Sequence, residues 1–437
     1  KTSSKEVTDL SSSRRKLSRS RLDSSLDGLT HVNQKIDLNS DHLEQDIYSI
    51  LSQLQNSFKS IPFDQWTIKS LQGGLTNTLF KCSAFESKAL KNCIVSVNFR
   101  VHGEKSEEIV DRPLENHTMH VMANVGKAPP MYGTFENGSV YGFVEGRNLT
   151  IEELHSCKFD KLIAHEIADW HLGPLTKDPP SPSLPPSNVT SKHPDIPLSI
   201  GQKTHPDIQM WYTIHFWAQS ANDLNDAYPL IDLSESVLLL EKIEQAIIAD
   251  PPPVAFSHND LLAGNILISN DLNKVHFIDF EYAGLNYNLF DIANHLQERA
   301  INYDSIEMDW DNFASEQEQR NFCQYYLERY HGGEQSSTSG LVIAASTLDQ
   351  QQQHTDDNQK TTVIDKNELD QYMKWLPTFI ALTNLFWGFW GMIQNEAKRA
   401  QQKAALSASS KAAINPFDYQ KFFKLRFQLA KKFFPID

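Results

Sequence analysis

Hydrophobic positions in the N-terminal part of the chain first follow a helical spacing and then form strand-like runs. Apolar residues recur with the spacing of one helix face at Ile47, Ile50, Leu51 and Leu54. Two later runs, 94–99 and 140–144, are rich in β-branched and aromatic residues and are typical of strands. The pattern predicts a helix followed by strands from about residue 47.

A second helix is predicted between these strands, over 113–123. Asp111 is a suitable N-cap, and Pro113 in the first turn has the fixed φ that a helix start tolerates. Strands, helix and strands in this order predict a small sheet domain that spans 47–145.

The remainder, 146–437, is dominated by helical periodicity. One predicted helix places Phe159, Leu162, Ile163, Ile167 and Trp170 on a single face. Two polar segments interrupt the pattern, a Pro/Ser-rich one at about 173–207 and a Gln-rich one at about 332–366. Both are interpreted as surface insertions in a larger, mainly helical domain.

The first 46 residues have few large apolar side chains and many serines. Such a segment cannot bury enough surface to offset its conformational entropy, and it is predicted to be a disordered tail.

One uncharged stretch, 375–393, is just long enough to cross a bilayer. Its polar side chains Thr378, Thr383 and Asn384 would face lipid without partners, so a buried domain helix is favoured and no membrane span is expected. Membrane attachment through this stretch is the alternative.

The charge balance restricts the class of partner. The chain of 437 residues has 40 Lys and Arg against 55 Asp and Glu, a net charge of -15. Nucleic-acid binding requires clustered cations, so no nucleic-acid partner is expected, whereas small cationic ligands and metal ions are favoured.

The cysteines are few and widely spaced. Cys82, Cys93, Cys157 and Cys323 form neither a zinc-ligand pattern nor a disulfide framework. A reducing, cytoplasmic location is predicted, and the sequence leaves the oligomeric state open, with a homodimer as one alternative.

The strongest chemical signal is the segment that begins at His258. Asp260 precedes Asn265 by five residues, and Asp279 follows two short apolar runs, as in the catalytic core of kinases. Asn265 and Asp279 offer the hard oxygen ligands that Mg²⁺ prefers, and Glu281 is a further candidate ligand. Asp260 would orient the attacking hydroxyl and accept its proton, while His258 is expected to hold the loop backbone.

These motifs resemble those of the choline/ethanolamine kinase family, with which the resemblance covers roughly 47–435. The residues that carry it lie at 73–77, 132–138, 258–265, 278–282, 290–295 and 386–390. The resemblance implies an α+β, bilobal protein-kinase-like fold, with a small N-terminal antiparallel sheet lobe and a larger, mainly helical C-terminal lobe. It also implies ATP and Mg²⁺ as cofactors.

On the nucleotide side, the resemblance assigns contacts to the residues Gly73, Gly74, Thr76, Asn77, Arg100 and Glu145. The glycines would let the backbone approach the phosphates, Arg100 would be a permanent phosphate cation, and Glu145 lies in the hinge that would hold adenine. Glu115 either pairs with Arg100 or is an exposed helical residue. His102 replaces the Tyr that is usual in the family.

On the amine side, the resemblance assigns the ammonium pocket to the residues Asp260, Glu298, Tyr303, Trp387 and Trp390. Carboxylates and indole faces attract a small ammonium ion. Asp291 either contacts the substrate or holds the loop through hydrogen bonds.

Leu262, two residues after Asp260, favours ethanolamine over choline, because choline kinases usually have a polar residue there. The expected activity is therefore ATP-dependent phosphorylation of ethanolamine, in phosphatidylethanolamine synthesis. A choline kinase and a catalytically silent kinase-like interaction protein are the alternatives.

Overall fold

The computed structural model describes residues 29–71, 77–86, 93–103, 110–180, 207–227, 231–337, 364–408 and 417–434. Most of the predicted tail and the central parts of both predicted insertions, 181–206 and 338–363, lie outside these ranges. So do Gly73, Gly74 and Thr76.

The N-terminal lobe is built on a six-stranded sheet with the order β1-β5-β6-β4-β3-β2. Its strands are β1 (Thr30–Val32), β2 (Trp66–Leu71), β3 (Asn77–Glu86), β4 (Cys93–His102), β5 (Met131–Phe135) and β6 (Gly138–Gly142). All neighbouring pairs are antiparallel except β1 with β5, which are parallel. The sheet is therefore mixed rather than purely antiparallel.

Strand alternation in β4 directs Arg100 away from the lobe's core. Val97, Phe99 and Val101 are buried in that core, and because successive side chains point to opposite faces, Arg100 lies on the other face. This face opens toward the C-terminal lobe, where Arg100 finds its partners.

The prediction of a disordered tail is wrong for the residues nearest the lobe. Val32 in β1 and Ile36 after it are 5% and 2% exposed, so this short apolar stretch joins the core of the lobe. Helix α1 (Leu43–Leu54) begins before residue 47 and buries the four predicted apolar positions. The apolar residues of this stretch are separated by short polar runs, so the sequence shows no strand periodicity there. The strand β1 is defined by its pairing with β5.

The helix expected after β4 is α3 (Arg112–Asn124), which follows the one-turn helix α2 (Asn56–Lys59) in chain order. Its N-cap is Asp111, whose side chain accepts the Leu114 N–H at 3.0 Å. The predicted start of the helix is confirmed.

The C-terminal lobe contains the remaining helices and several short strands. Its helices are α4 (Ile151–His155), α5 (Asp160–His171), α6 (Pro174–Lys177), α7 (Gln209–Ala227), α8 (Ser234–Ala249), α9 (Leu289–Glu298), α10 (Glu316–Ser337), α11 (Lys366–Ala408) and α12 (Tyr419–Phe433). Its strands are β7 (Arg147–Asn148), β8 (Val254–Ser257), β9 (Ile266–Ile268), β10 (Val275–Phe277), β11 (Gly284–Tyr287), β12 (Ile301–Asn302) and β13 (Glu307–Met308).

The described ends of the predicted insertions are more regular than expected. Helix α6 lies inside the first one and buries Leu175, and residues 332–337 continue α10. A buried apolar side chain and an unbroken helical backbone both stabilise these flanks.

The uncharged stretch at 375–393 lies in α11. This helix is long and apolar enough to cross a membrane, but 89% of its most apolar window is buried inside the protein. It packs against α7, α9, α10 and α12, as expected for the core helix of a globular domain.

Candidate active site

The loop after β8 is held in place from helix α9. Both carboxylate oxygens of Asp291, in the first turn of α9, accept backbone N–H groups of the loop, from His258 at 2.8 Å and from Asn259 at 2.7 Å. Asn294, one turn later, accepts the Leu261 N–H at 2.7 Å. Asp291 therefore acts on the loop backbone, which decides between its two predicted roles.

His258 joins the loop to the segment that carries Asp279. Its Nδ1 accepts the Asp260 N–H at 3.3 Å, and its Nε2 lies 3.0 Å from the Ile278 carbonyl oxygen. This arrangement requires a neutral ring with the proton on Nε2, and burial lowers the pKa of His258. The expected structural role of His258 is confirmed.

Asp260 and Asn265 are in direct contact. The Asn265 amide donates to Asp260 Oδ2 at 2.8 Å and to the Asp260 carbonyl at 2.9 Å, and both residues are buried. The Ile278 N–H donates to the Asn265 carbonyl at 3.1 Å, which brings the next segment alongside.

Several carboxylates converge on Asp260. Burial, followed by the charges of Asp279, Glu298 and Glu281, raises the pKa of Asp260 well above its ordinary value. Like charges raise a pKa only at short range in a poorly solvated place. The Asn265–Asp260 hydrogen bond and the bond from the Ile278 N–H to the Asn265 carbonyl bring Asp260, Asn265 and Asp279 together at one site.

Arg100 lies among the acidic groups of this site. It donates to Glu115 at 2.5 Å, to Asp279 at 3.1 Å and to Glu281 at 3.2 Å. Glu115 is 3% exposed, so it is the ion-pair partner of Arg100 and not a surface residue. Asp279 itself has a φ of 67° and a side chain that is 36% exposed, so its carboxylate faces the cleft.

A second buried cation, Arg112, was missed in the sequence. It donates to Glu115 at 2.7 Å, to Glu281 at 3.3 Å and to Asn77 Oδ1 at 3.1 Å. The only sequence signal was its position three residues before Glu115 in the first helical turn, which is common on helix surfaces.

The carboxylates of this site fit a divalent cation. Oxygen atoms of Glu115, Asp279 and Glu281 lie within 4.8 Å of one another, and oxygen ligands suit Mg²⁺. Burial, then the Asp279 charge, raises the pKa of Glu281 to about 7, and a bound cation would relieve this repulsion. Asp279 and Glu281 from the predicted metal set lie in this group, whereas Asn265 adjoins it through Asp260.

The other predicted nucleotide contacts are distributed as follows. Asn77 is bound to Arg112 at the edge of the acidic group. The Glu145 side chain is 66% exposed and lies 3.6 Å from Lys81. Burial, then the Arg112 charge, lowers the pKa of His102 to about 3, so His102 adds no cation to this strand.

The predicted amine pocket contains an ion pair that the sequence did not suggest. Arg426, which is 1% exposed, lies 2.7 Å from Glu298, and Tyr303 donates its hydroxyl to the same carboxylate. The Glu298 charge is therefore largely offset within the protein.

Aromatic rings form another wall of this region. The ring centroids of Trp387 and Trp390 are 5.5 Å apart, and the rings pack edge to face. Trp390 Nε1 donates to the Tyr282 hydroxyl at 2.8 Å. The Phe422 ring centroid lies 6.0 Å from that of Trp390 and 6.3 Å from that of Tyr303. Phe422 therefore links the indoles to the Glu298 ion pair. Tyr282 lies in the motif 278–282, but neither it nor Phe422 nor Arg426 was assigned to this pocket, because their contacts join segments far apart in sequence.

A two-lobed fold with a cation-lined acidic cleft and a fixed Asp-Asn loop defines a phosphotransferase of the kinase type. The chain matches the choline/ethanolamine kinase family model over residues 68–431, and it belongs to that family. Kinase membership implies ATP as the phosphoryl donor.

Curated relatives are similar over most of their length. The probable ethanolamine kinase A of Dictyostelium discoideum is 28% identical over 75% of this chain and 78% of its own. Ethanolamine kinase 2 of Mus musculus is 28% identical over 76% of this chain and 71% of its own.

Solved structures confirm the predicted bilobal fold. A choline kinase from Cryptosporidium parvum superposes with a TM-score of 0.61 at 18% identity and covers 89% of this chain and 94% of its own. A Plasmodium vivax ethanolamine kinase superposes with a TM-score of 0.58 at 22% identity, over 90% of each chain.

Proposed function

We propose that this protein transfers the γ-phosphoryl group of ATP to the hydroxyl of ethanolamine, in a magnesium-dependent reaction that supplies phosphatidylethanolamine synthesis. The observation that carries the proposal is the meeting of Asp260, Asn265 and Asp279 beside Arg100. In phosphoryl transfer, positioning and charge stabilisation supply most of the catalysis, and these groups provide both.

Asp279 and Glu281, with Asn265, would hold the Mg²⁺ ion that neutralises the nucleotide phosphates. Arg100 is close enough to Asp279 to reach a phosphate oxygen at the same cation. Gly73, Gly74, Thr76 and Asn77 would contact the triphosphate, and the backbone near Glu145 would hold adenine.

Asp260 would orient the substrate hydroxyl and accept its proton. The crowding of carboxylates that raises its pKa is relieved when the metal ion and the substrate ammonium bind, so the ionised form is favoured in the ternary complex. The base is therefore most effective when both substrates are present.

The ammonium group would lie against Trp387 and Trp390, near Glu298 and Tyr303. An indole face attracts a cation without needing a full counter-charge, which suits a pocket where Arg426 already pairs with Glu298. The similarity to relatives named ethanolamine kinases supports a primary amine as the substrate. Choline is the alternative substrate, because the family includes kinases for both amines.

The first test is a substrate panel. Purified protein is incubated with Mg²⁺-ATP and ethanolamine, choline or an aminoglycoside, and ADP release is measured. We expect the highest kcat/KM with ethanolamine. A higher value with choline contradicts the amine assignment, and no turnover with any substrate favours the silent interaction protein.

The second test is Asp260→Ala. We expect kcat to fall by about 10²–10⁴-fold while ATP binding, measured by calorimetry, stays near wild type. The exposed Asp370→Ala is the matched control, since Asp370 forms its ion pair with Arg320 on the surface. Normal turnover in Asp260→Ala contradicts the assigned base.

The location is also part of the proposal. A cytoplasmic protein without a membrane span would remain in the supernatant after high-speed centrifugation at both low and high salt.

A further inference from the structure

Arg112 links three separate parts of the site through one guanidinium group. It contacts Glu115 on its own helix, Glu281 of the C-terminal lobe and Asn77 at the start of β3. Arg112 is 6% exposed, so these contacts replace water almost completely. A buried guanidinium with several carboxylate partners is a strong and directional arrangement.

The acidic group beside it already resembles a cation site. Glu115, Asp279 and Glu281 bring oxygen atoms within 4.8 Å of one another, and Arg100 and Arg112 supply the neighbouring positive charge. Arg100 has Asp279 as a direct partner, whereas Arg112 binds only the other two carboxylates of this group among the described residues. Removing Arg112 would leave Glu115 and Glu281 to share Arg100.

Arg100 and Arg112 also differ in whether they contact Asp279, whose carboxylate faces the cleft. Arg100 lies on a strand that faces the cleft, and its bond to Asp279 directs it toward the metal position. Arg112 lies in the first turn of α3 and pairs with Glu115 and Glu281. An incoming phosphate can therefore draw Arg100 away from Asp279 while Glu115 and Glu281 stay paired with Arg112 until a cation competes for their oxygen atoms.

We propose that Arg112 is a positioning residue that holds Glu115 and Glu281 in ion pairs in the nucleotide-free enzyme, so that a divalent cation binds together with ATP rather than alone. This inference rests on the proposed metal and nucleotide site, because it concerns the order in which that site is filled. The cation competes with the guanidinium for the same carboxylate oxygens, and the phosphates of ATP tip the balance by adding ligands of their own.

The test measures metal binding without nucleotide. Mn²⁺ is titrated into wild-type protein and into Arg112→Met, and free Mn²⁺ is followed by electron paramagnetic resonance. Removing a unit charge in contact with the site is expected to tighten Mn²⁺ binding by about tenfold or more. Adding Glu281→Gln to Arg112→Met should reverse the gain, and Arg112→Lys, which keeps the charge, should resemble wild type.

A merely structural Arg112 would lower stability and turnover without increasing nucleotide-free Mn²⁺ affinity. Equal or weaker Mn²⁺ binding in folded Arg112→Met overturns the inference. Arg320→Met, at an exposed ion pair, is the control for removing an arginine. If Arg112→Met does not fold, as judged by circular dichroism, Arg112→Gln removes the charge while keeping a donor for Asn77, and the same result is required of it.

Asp279→Ala separates this inference from the proposed function. Unchanged magnesium dependence of turnover in Asp279→Ala contradicts the metal site itself. The other outcome is that Asp279→Ala needs a higher Mg²⁺ concentration for turnover, while Arg112→Met binds Mn²⁺ no more tightly than wild type. In that case the metal site stands and only the role of Arg112 is wrong.

Discussion

The Glu298–Arg426 ion pair should control the affinity for the amine, and Glu298→Gln tests this. The substitution removes the carboxylate but leaves the Arg426 cation buried, at 1% exposure, beside the proposed ammonium position. At a separation of about 6 Å and an effective dielectric constant of about 20, two unit charges interact by about 3 kcal/mol. That is about a hundredfold in affinity, and local screening would reduce it toward about tenfold.

The double variant Glu298→Gln/Arg426→Met distinguishes this repulsion from the loss of a direct contact. It has lost the cation as well, so the net charge of the pocket returns to that of the wild type. We therefore expect the amine KM to rise about 10–100-fold in Glu298→Gln and to recover partly in the double variant.

The assay is steady-state ADP release at saturating Mg²⁺-ATP, with the amine concentration varied. Equal amine KM values in the single and double variants would show that Arg426 does not act on the ammonium through Glu298. Arg426→Met alone should lower the free energy of unfolding by about 3–5 kcal/mol, because it leaves a buried, unpaired carboxylate. A change below about 1 kcal/mol in denaturant unfolding would contradict that burial.

Two further predictions concern the loop and the response to pH. Asp291→Asn loses one of the acceptors for the loop N–H groups, so the free energy of unfolding should fall by about 1–3 kcal/mol and kcat should fall with it. The control is the exposed Asp370→Asn, which should change neither quantity. An active, fully stable Asp291→Asn would show that the loop holds its shape without this carboxylate. Burial lowers the pKa of His258, and it lowers the pKa of His295 to about 4, so the unfolded chain binds these protons more readily than the folded one. Their neutral rings contribute stability above about pH 6.5 that is lost as the pH falls below it, so the free energy of unfolding should decrease from pH 7 to pH 5, and replacing His295 with Gln should flatten that dependence.

Much of the fold could be predicted because its signals are local. The buried face of α1 follows from a spacing of three and four residues, and the start of α3 follows from Asp111 and Pro113. The catalytic segment could also be predicted, since a loop and a following hairpin place Asp260, Asn265 and Asp279 together over a short length of chain. The tail boundary failed for the opposite reason, because β1 forms only by pairing with a distant strand.

The partners of the site residues could not be predicted in the same way. Asp291 and Asn259 lie on neighbouring elements of one lobe, yet only the packing of α9 against the loop decided that the carboxylate serves backbone N–H groups. Arg112 and Arg426 gave no sequence signal that distinguishes them from surface residues, since an arginine on a helix is usually exposed.

The sequence by itself determined most of the helices and strands, the order of the two lobes and the spacing of Asp260, Asn265 and Asp279, because these depend on near neighbours in the chain. Only the tertiary structure decided which charges are paired, with Arg112 against Glu281 and Arg426 against Glu298. The physical reason is that the energy of a charge depends on its burial and on the groups around it, and both arise when segments far apart in sequence pack together.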